Sequence, residues 1–156
     1  DPDNFKFEKF DLIKNELFLV GNSAMNTPLK ADKTLTDTTF IFREEGSRTR
    51  LVMENFISKN KIKIKKKIEL TSNEAVKQAV IAGLGWSIMP IIGIRNEVES
   101  GLLKIIPMKG LPIQTTWQLI WLKEKKLSPI AESYLNYLAK EKDNIIQNYF
   151  ALPSQK

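Results

Sequence analysis

Two short stretches gather the side chains in this chain that are best suited to holding a ligand. The first is Gly46-Ser47-Arg48-Thr49, and the second is Thr71-Ser72-Asn73. Each combines hydroxyl donors with a position just ahead of a predicted helix. The first turn of a helix has N–H groups without intrahelical partners, and the positive end of the peptide dipole lies there, so both stretches suit an oxyanion. Gly46 permits a backbone turn that a side chain would hinder, and the hydroxyls of Ser47 and Thr71 can donate to an anion. The same residues serve equally well as simple N-caps, with Thr71 and Glu74 forming a capping box, and a cap can also touch a ligand. Arg48 and Arg50 read either as anion contacts or as an ion-paired, solvated helix face.

Other chemistry is ruled out by composition. The chain has no Cys and no His, which removes disulfides, thiolate chemistry, ordinary zinc sites and every Ser-His or Cys-His nucleophilic pair. No phosphate loop of the Gly-x-x-x-x-Gly-Lys kind is present. No constellation of Lys, Tyr, Ser or carboxylates suggests catalysis, so the expectation is a binding protein with no catalytic residue, no metal and no cofactor. The 156 residues, 42% of them hydrophobic, are enough for one domain with a core. No apolar run reaches the roughly 20 residues of a membrane span. The first residues, Asp1-Pro2-Asp3-Asn4, carry neither an initiator Met nor a signal-peptide pattern, so a piece of a longer chain is expected, and the lack of Cys fits a cytoplasmic address.

The net charge of +6 invites a search for an anionic partner, but only Arg43, Arg48, Arg50 and Arg95 of the 24 basic residues are Arg. The sharpest basic run is Lys59-Asn60-Lys61-Ile62-Lys63-Ile64-Lys65-Lys66-Lys67. It could touch phosphates, or it could be a solubilising lead-in whose lysines guard a sheet edge. The lack of interleaved aromatics and of Arg favours the second reading.

The elements that must carry these groups follow from periodicity. Residues 1–15 read as an extended segment, and Glu16 to Gly21 as a buried strand. Asn22 to Asp37 is rich in loop-forming residues, and Thr38 to Arg43 is a second strand. Arg48 to Lys59 is a helix with Leu51, Val52, Phe56 and Ile57 on its apolar stripe. Lys63 to Leu70 is a third strand. A second helix runs from the Thr71 cap to Ala82, aims Val76, Ala79, Val80 and Leu84 at the core, and is stopped by Gly83 and Gly85. Trp86 to Met89 is a short strand, with Trp86 and Met89 in the core, and Pro90 opens a helix to about Glu99. Leu102 to Ile106 and Thr115 to Leu122 are strands, and Trp117 and Trp121 read as core or dimer surface. Ser128-Pro129 starts a last helix with Ile130, Tyr134, Leu135 and Leu138 as its stripe. Alternating strands and helices predict an α/β fold with a mainly parallel sheet.

The order of these pieces resembles the effector (substrate-binding) domain of LysR-type transcriptional regulators. The matching residues are Arg43-Glu44-Glu45-Gly46-Ser47-Arg48-Thr49-Arg50, Ser72 to Val80, and Ala82-Gly83-Leu84-Gly85-Trp86-Ser87-Ile88-Met89-Pro90. They continue through Glu97-Val98-Glu99-Ser100-Gly101-Leu102-Leu103 and Leu127-Ser128-Pro129-Ile130-Ala131, covering most of residues 10–140. Within the family the likeness is greatest to regulators of carbon fixation and sulfur metabolism.

The resemblance implies a two-lobed fold like that of type 2 periplasmic binding proteins, one lobe complete and the other partial. Residues 1–16 would be an extended inter-lobe segment, 17–116 lobe two, and 117–156 the closing strand and helix of lobe one. It also implies a small, anionic effector held between the lobes, with Gly46, Ser47, Arg48, Thr49, Thr71, Ser72 and Asn73 as its contacts in lobe two. Thr71 falls where the family often places a ligand-touching Thr or Ser. A homodimer or tetramer is implied, with DNA bound by a helix-turn-helix absent from this chain, and no membrane partner. The alternative is a solute-binding protein of a transport system, which shares the architecture but should show both lobes complete.

Overall fold

The computed structural model describes residues 6–24 and 37–150, so most of the loop expected between Asn22 and Asp37 lies outside the described residues. The chain divides into two compact units, one made of residues 16–113 and the other of 1–15 with 114–156.

The larger unit is built where helical crossovers follow strands. Strand β2 (Thr39–Arg43) leads to helix α1 (Arg48–Lys59), then to β3 (Lys66–Leu70), α2 (Asn73–Ile81) and β4 (Ser87–Pro90). Helical crossovers return the chain in the same direction, and β2 and β3 pair in parallel from Thr39 opposite Lys66 to Arg43 opposite Leu70. A parallel bridge between Phe40 and Trp86 joins β2 to the start of β4. The four-stranded sheet that this bridge joins to the β2–β3 pair departs from the expected parallel arrangement. β1 (Phe7–Asn22) runs antiparallel to β4, with Leu17 opposite Pro90, and antiparallel to β5 (Leu103–Ile105), with Val20 opposite Ile105. No crossover helix ties β1 to its neighbours, and a period-2 pattern carries no information on strand direction.

Both faces of this sheet are covered. Phe40, Phe42, Leu19 and Ile88 join Met53 and Phe56 of α1 in one cluster, while the alternate residues Ile41, Val20 and Met89 join Val76 and Val80 of α2 in the other. A strand buried on two sides reads as an unbroken apolar run, and Trp86 through Pro90 are all buried. Trp86 and Met89 are core, as expected.

Several local expectations are corrected. Leu51 is 58% exposed and Met53 takes its place in the core, because Met53, Phe56 and Ile57 share the face turned to the sheet. Leu84 is 56% exposed, since α2 ends at Ile81 and the chain has turned away at Gly83. Pro90 closes β4 in an extended conformation instead of opening a helix. A 3-10 turn (Ile91–Gly93) and the short α3 (Arg95–Glu99) follow it. Gly85 is required by contact rather than as a helix stop. An added Cβ would lie 2.3 Å from the carbonyl oxygen of Thr39.

In the smaller unit the N-terminal part of β1 pairs with β6 (Ile113–Leu122). The Thr115 hydroxyl donates to the Asn15 carbonyl (3.2 Å) at one end, and the Lys123 amide to the Lys6 carbonyl (2.8 Å) at the other, so the pair is antiparallel. The strand expected over Glu16 to Gly21 therefore extends back to Phe7, through pairing with a segment some hundred residues later in the chain. Helix α4 (Pro129–Ile145) starts at Ser128, whose hydroxyl accepts from the Ala131 amide (3.3 Å), with Pro129 in the first turn. Of its expected apolar stripe, Leu138 is buried, whereas Ile130 is 84% and Tyr134 57% exposed. Trp117 is 48% exposed. Among the described residues no helix is long and apolar enough to cross a membrane.

Candidate functional site

The register of β2 and β3 assembles the site. Arg43 stands opposite Leu70, so these two parallel strands end side by side, and each chain turns there into a helix. Open α/β sheets present such strand ends to ligands. After β2 the turn Glu44-Glu45-Gly46 leads to Ser47, the N-cap of α1, and Gly46 takes φ +86°, a conformation that disfavours any residue with a Cβ. After β3 comes Thr71, and then Ser72 as the N-cap of α2.

The Ser72 hydroxyl accepts from the Ala75 amide at 3.0 Å. The cap is thus one residue later than the expected Thr71, and there is no capping box. Glu74 instead turns along the helix to Gln78 (2.9 Å) and Lys77 (2.9 Å). Ser47 occupies the cap position without a side-chain cap bond. Its hydroxyl and that of the exposed Thr71 are therefore available at neighbouring helix N-termini, together with first-turn amides that have no intrahelical acceptor. Thr49 is half-buried, and Ser72, Asn73 and Arg48 are exposed.

Two arginines hold these ends together. Arg43 donates through Nε and Nη2 to the Glu44 carboxylate, both at 2.7 Å, and through Nη1 to Oδ1 of Asn73 in the first turn of α2. Asn73, expected to meet a ligand, is thereby tied to Arg43. Arg50 is buried, with Nη1 donating to the Arg43 carbonyl (3.1 Å) and to Glu69 of β3, and Nε to Glu54 one helical turn on (2.8 Å). It is ion-paired, as one reading of the sequence held, but inside the protein rather than on a solvated face. Its hydrogen bonds to Glu54 and Glu69 raise its pKa further. Arg43 and Glu69 escaped the sequence reading as site-shaping residues, because their partners lie across a strand pairing. The Arg50–Glu54 pair was readable from its i,i+4 spacing.

The hydrogen bond from Arg43 lowers the Glu44 pKa from its ordinary 4.5 to about 2. A carboxylate depressed in the folded state contributes stability above its unfolded pKa and loses it as pH falls through the folded value. Glu44→Gln should therefore flatten the stability curve between about pH 4.5 and 2 and leave its slope above about pH 5 unchanged. Urea melts across that range check this, and the effect is small because Glu44 is solvated.

Among the described residues no group of three or more acidic, His or Cys side chains could hold a metal ion. The arrangement suits an oxyanion, met by two helix N-termini and two hydroxyls, with Arg48 beside them.

The model of the LysR substrate binding domain matches residues 1–143, and the chain belongs to that family. Its fold is that of the family's effector-binding domains, which resemble type 2 periplasmic binding proteins. It is 35% identical over 142 residues to the HTH-type transcriptional activator CmpR of Synechocystis, covering 88% of this chain and 46% of that protein. It is 37% identical over 125 residues to a RuBisCO operon transcriptional regulator of Acidithiobacillus ferrooxidans, covering 77% and 40%. The chain thus spans less than half the length of these curated relatives. Among solved structures, the regulatory domain of Synechocystis CcmR in complex with 2-PG superposes with a TM-score of 0.81 at 29% identity, covering 93% of this chain and 71% of that one. The regulatory domain of Salmonella typhimurium HypT, at 17% identity and a TM-score of 0.76, shares the fold.

Proposed function

We propose that this domain senses a small metabolite bearing an oxyanion, a phosphate or carboxylate, and that the oxyanion docks where α1 and α2 begin. The observation that carries this reading is the pairing of Arg43 with Leu70, which sets the two helix N-termini side by side. Gly46, Ser47, Arg48, Thr49, Thr71 and Ser72 supply amides, hydroxyls and charge, while Asn73 acts through Arg43. Support comes from the CcmR regulatory domain, which was solved with 2-PG.

In this reading residues 17–116 are lobe two of the family's domain, and 117–156 supply a closing strand and helix of lobe one. The whole protein is a cytoplasmic transcriptional regulator rather than an enzyme. It acts as a homodimer or tetramer, and its DNA contacts are made by a helix-turn-helix outside this chain. The effector works by favouring one arrangement of that oligomer. Regulation is preferred to solute transport because the relatives above are transcription regulators.

A thermal-shift series tests the binding step. The panel is 2-PG, inorganic phosphate, sulfate, simple carboxylates and phosphosugars at constant ionic strength. One of these at a hundred times its dissociation constant should add about 2.7 kcal/mol of stability. Equal, negligible shifts across the panel would overturn the proposal.

A further inference from the structure

The effector site leaves the protein's net charge unexplained. Six lysines fall between positions 59 and 67 with no acidic residue among them, and the other 18 basic residues balance the 18 acidic ones. The whole +6 of the chain therefore resides in one nine-residue stretch.

The structure turns that stretch into a surface. Lys59 ends α1, Lys66 and Lys67 begin β3, and the connection between them alternates. Ile62 and Ile64 face inward, packing on the cluster around Phe40 and Phe56. Lys59, Lys61, Lys63, Lys65, Lys66 and Lys67 are all exposed. Among the described residues the row makes one ion pair, between Lys65 and Asp37 at 3.1 Å, with both partners well solvated. β3 pairs only with β2 among the described residues, so Lys66 and Lys67 lie on an edge strand. The row lies at the opposite end of α1 from Ser47.

We propose that this lysine row is a second contact surface, which binds the phosphate backbone of duplex DNA without reading its sequence. The inference goes beyond the effector reading and does not depend on it. Lysines without arginine suit phosphates rather than base edges. No aromatic side chain stands in the row to stack an unpaired base, which disfavours single strands. The inward turn of Ile62 and Ile64 leaves no apolar side chain in the row to enter a lipid layer, which disfavours a membrane. Guarding an edge needs a lysine or two, whereas six exposed lysines, with Lys65 alone ion-paired among the described residues, concentrate positive potential in one place.

The test is fluorescence anisotropy of a labelled duplex of arbitrary sequence against this domain, at sodium chloride concentrations from low to physiological. Two triple variants remove equal charge: Lys61→Gln, Lys63→Gln and Lys66→Gln in the row, and Lys125→Gln, Lys126→Gln and Lys140→Gln on other exposed positions. Both sets are solvated, and matching melting curves verify that both fold. The row variant should bind at least about tenfold more weakly at low salt, with a log–log salt slope shallower by about 2 to 3. The other variant should stay close to wild type. Equal losses in the two variants would reduce the effect to net charge and overturn the proposal. So would no binding to duplex at low salt, or binding to vesicles containing anionic lipid without binding to duplex. The row variant should give the same thermal shifts with anions as wild type, so failure here and failure of the effector reading are separately visible.

Discussion

Replacing Gly85 by alanine is expected to remove about 3 kcal/mol of stability, enough to lower the melting temperature by roughly 10 °C. The new Cβ would lie 2.3 Å from the carbonyl oxygen of Thr39 and 3.0 Å from its carbon. Both are backbone atoms of a central strand, so relief requires β2 and the start of β4 to separate. That separation would strain two hydrogen bonds, from the Trp86 amide to the Thr39 carbonyl (2.9 Å) and from the Ile41 amide to the Trp86 carbonyl (2.8 Å). It would also loosen Phe40, Ile41 and Trp86, which are among the most deeply buried side chains. Gly93→Ala is the control, because an added Cβ there meets nothing within 4 Å. It should change stability by no more than about 0.5 kcal/mol. Chemical denaturation of the two variants checks the pair. An unchanged midpoint for Gly85→Ala would mean that β2 and β4 are not in this close contact.

The combined variant Ser47→Ala and Thr71→Ala is expected to weaken anion binding by about a hundredfold or more while leaving the fold intact. A hydrogen bond to a charged acceptor contributes about 1.5–3 kcal/mol, and losing two of them multiplies the effect, subject to coupling between neighbouring sites. The stability cost is small for a structural reason. Ser47 makes no side-chain cap bond, and the cap of α2 belongs to Ser72, not Thr71. Most N-cap serines confound such a test because their removal itself costs about 0.5–2 kcal/mol of stability, and these two positions avoid that. Calorimetric titration with 2-PG, paired with a melting curve, separates binding from folding. Unaltered affinity in the double variant would remove both hydroxyls from the site.

Much of this architecture was legible before any coordinates. The crossover segment from Thr38 to Met89 alternates strand and helix with apolar residues at matching periods. Its helices and strands form close to where the pattern puts them. What escaped notice depends on partners distant in the sequence. The long β1 owes its first half to pairing with β6, and its antiparallel direction is invisible in an apolar run. Leu51 and Leu84 look like core on a helical wheel. They are exposed because the sheet contacts a narrower face of α1 and because α2 stops early.

The candidate site can be read from the sequence in its ingredients but not in its wiring. Gly46, Ser47, Thr71 and Ser72 could be singled out from residue type and position alone. The cap shift from Thr71 to Ser72 is a one-residue matter of local geometry that neighbouring hydroxyls leave ambiguous. The parts played by Arg43 and Arg50 follow from β2–β3 register, which puts Asn73 and Glu69 within their reach. Arg50 in particular binds strand, strand and helix into one support for the two helix N-termini.

Amide chemical-shift mapping with 2-PG tests the central claim most directly, because backbone N–H groups are the proposed ligands. Titration should move the amide resonances of Ser47, Arg48 and Thr49 together with those of Ser72, Asn73 and Glu74, saturating with one common affinity. Shifts confined to the lysine row, or to the cavity of about 410 Å³ lined by Val52, Phe56, Lys59 and Ile113, would contradict the assignment of the anion site to the two helix N-termini.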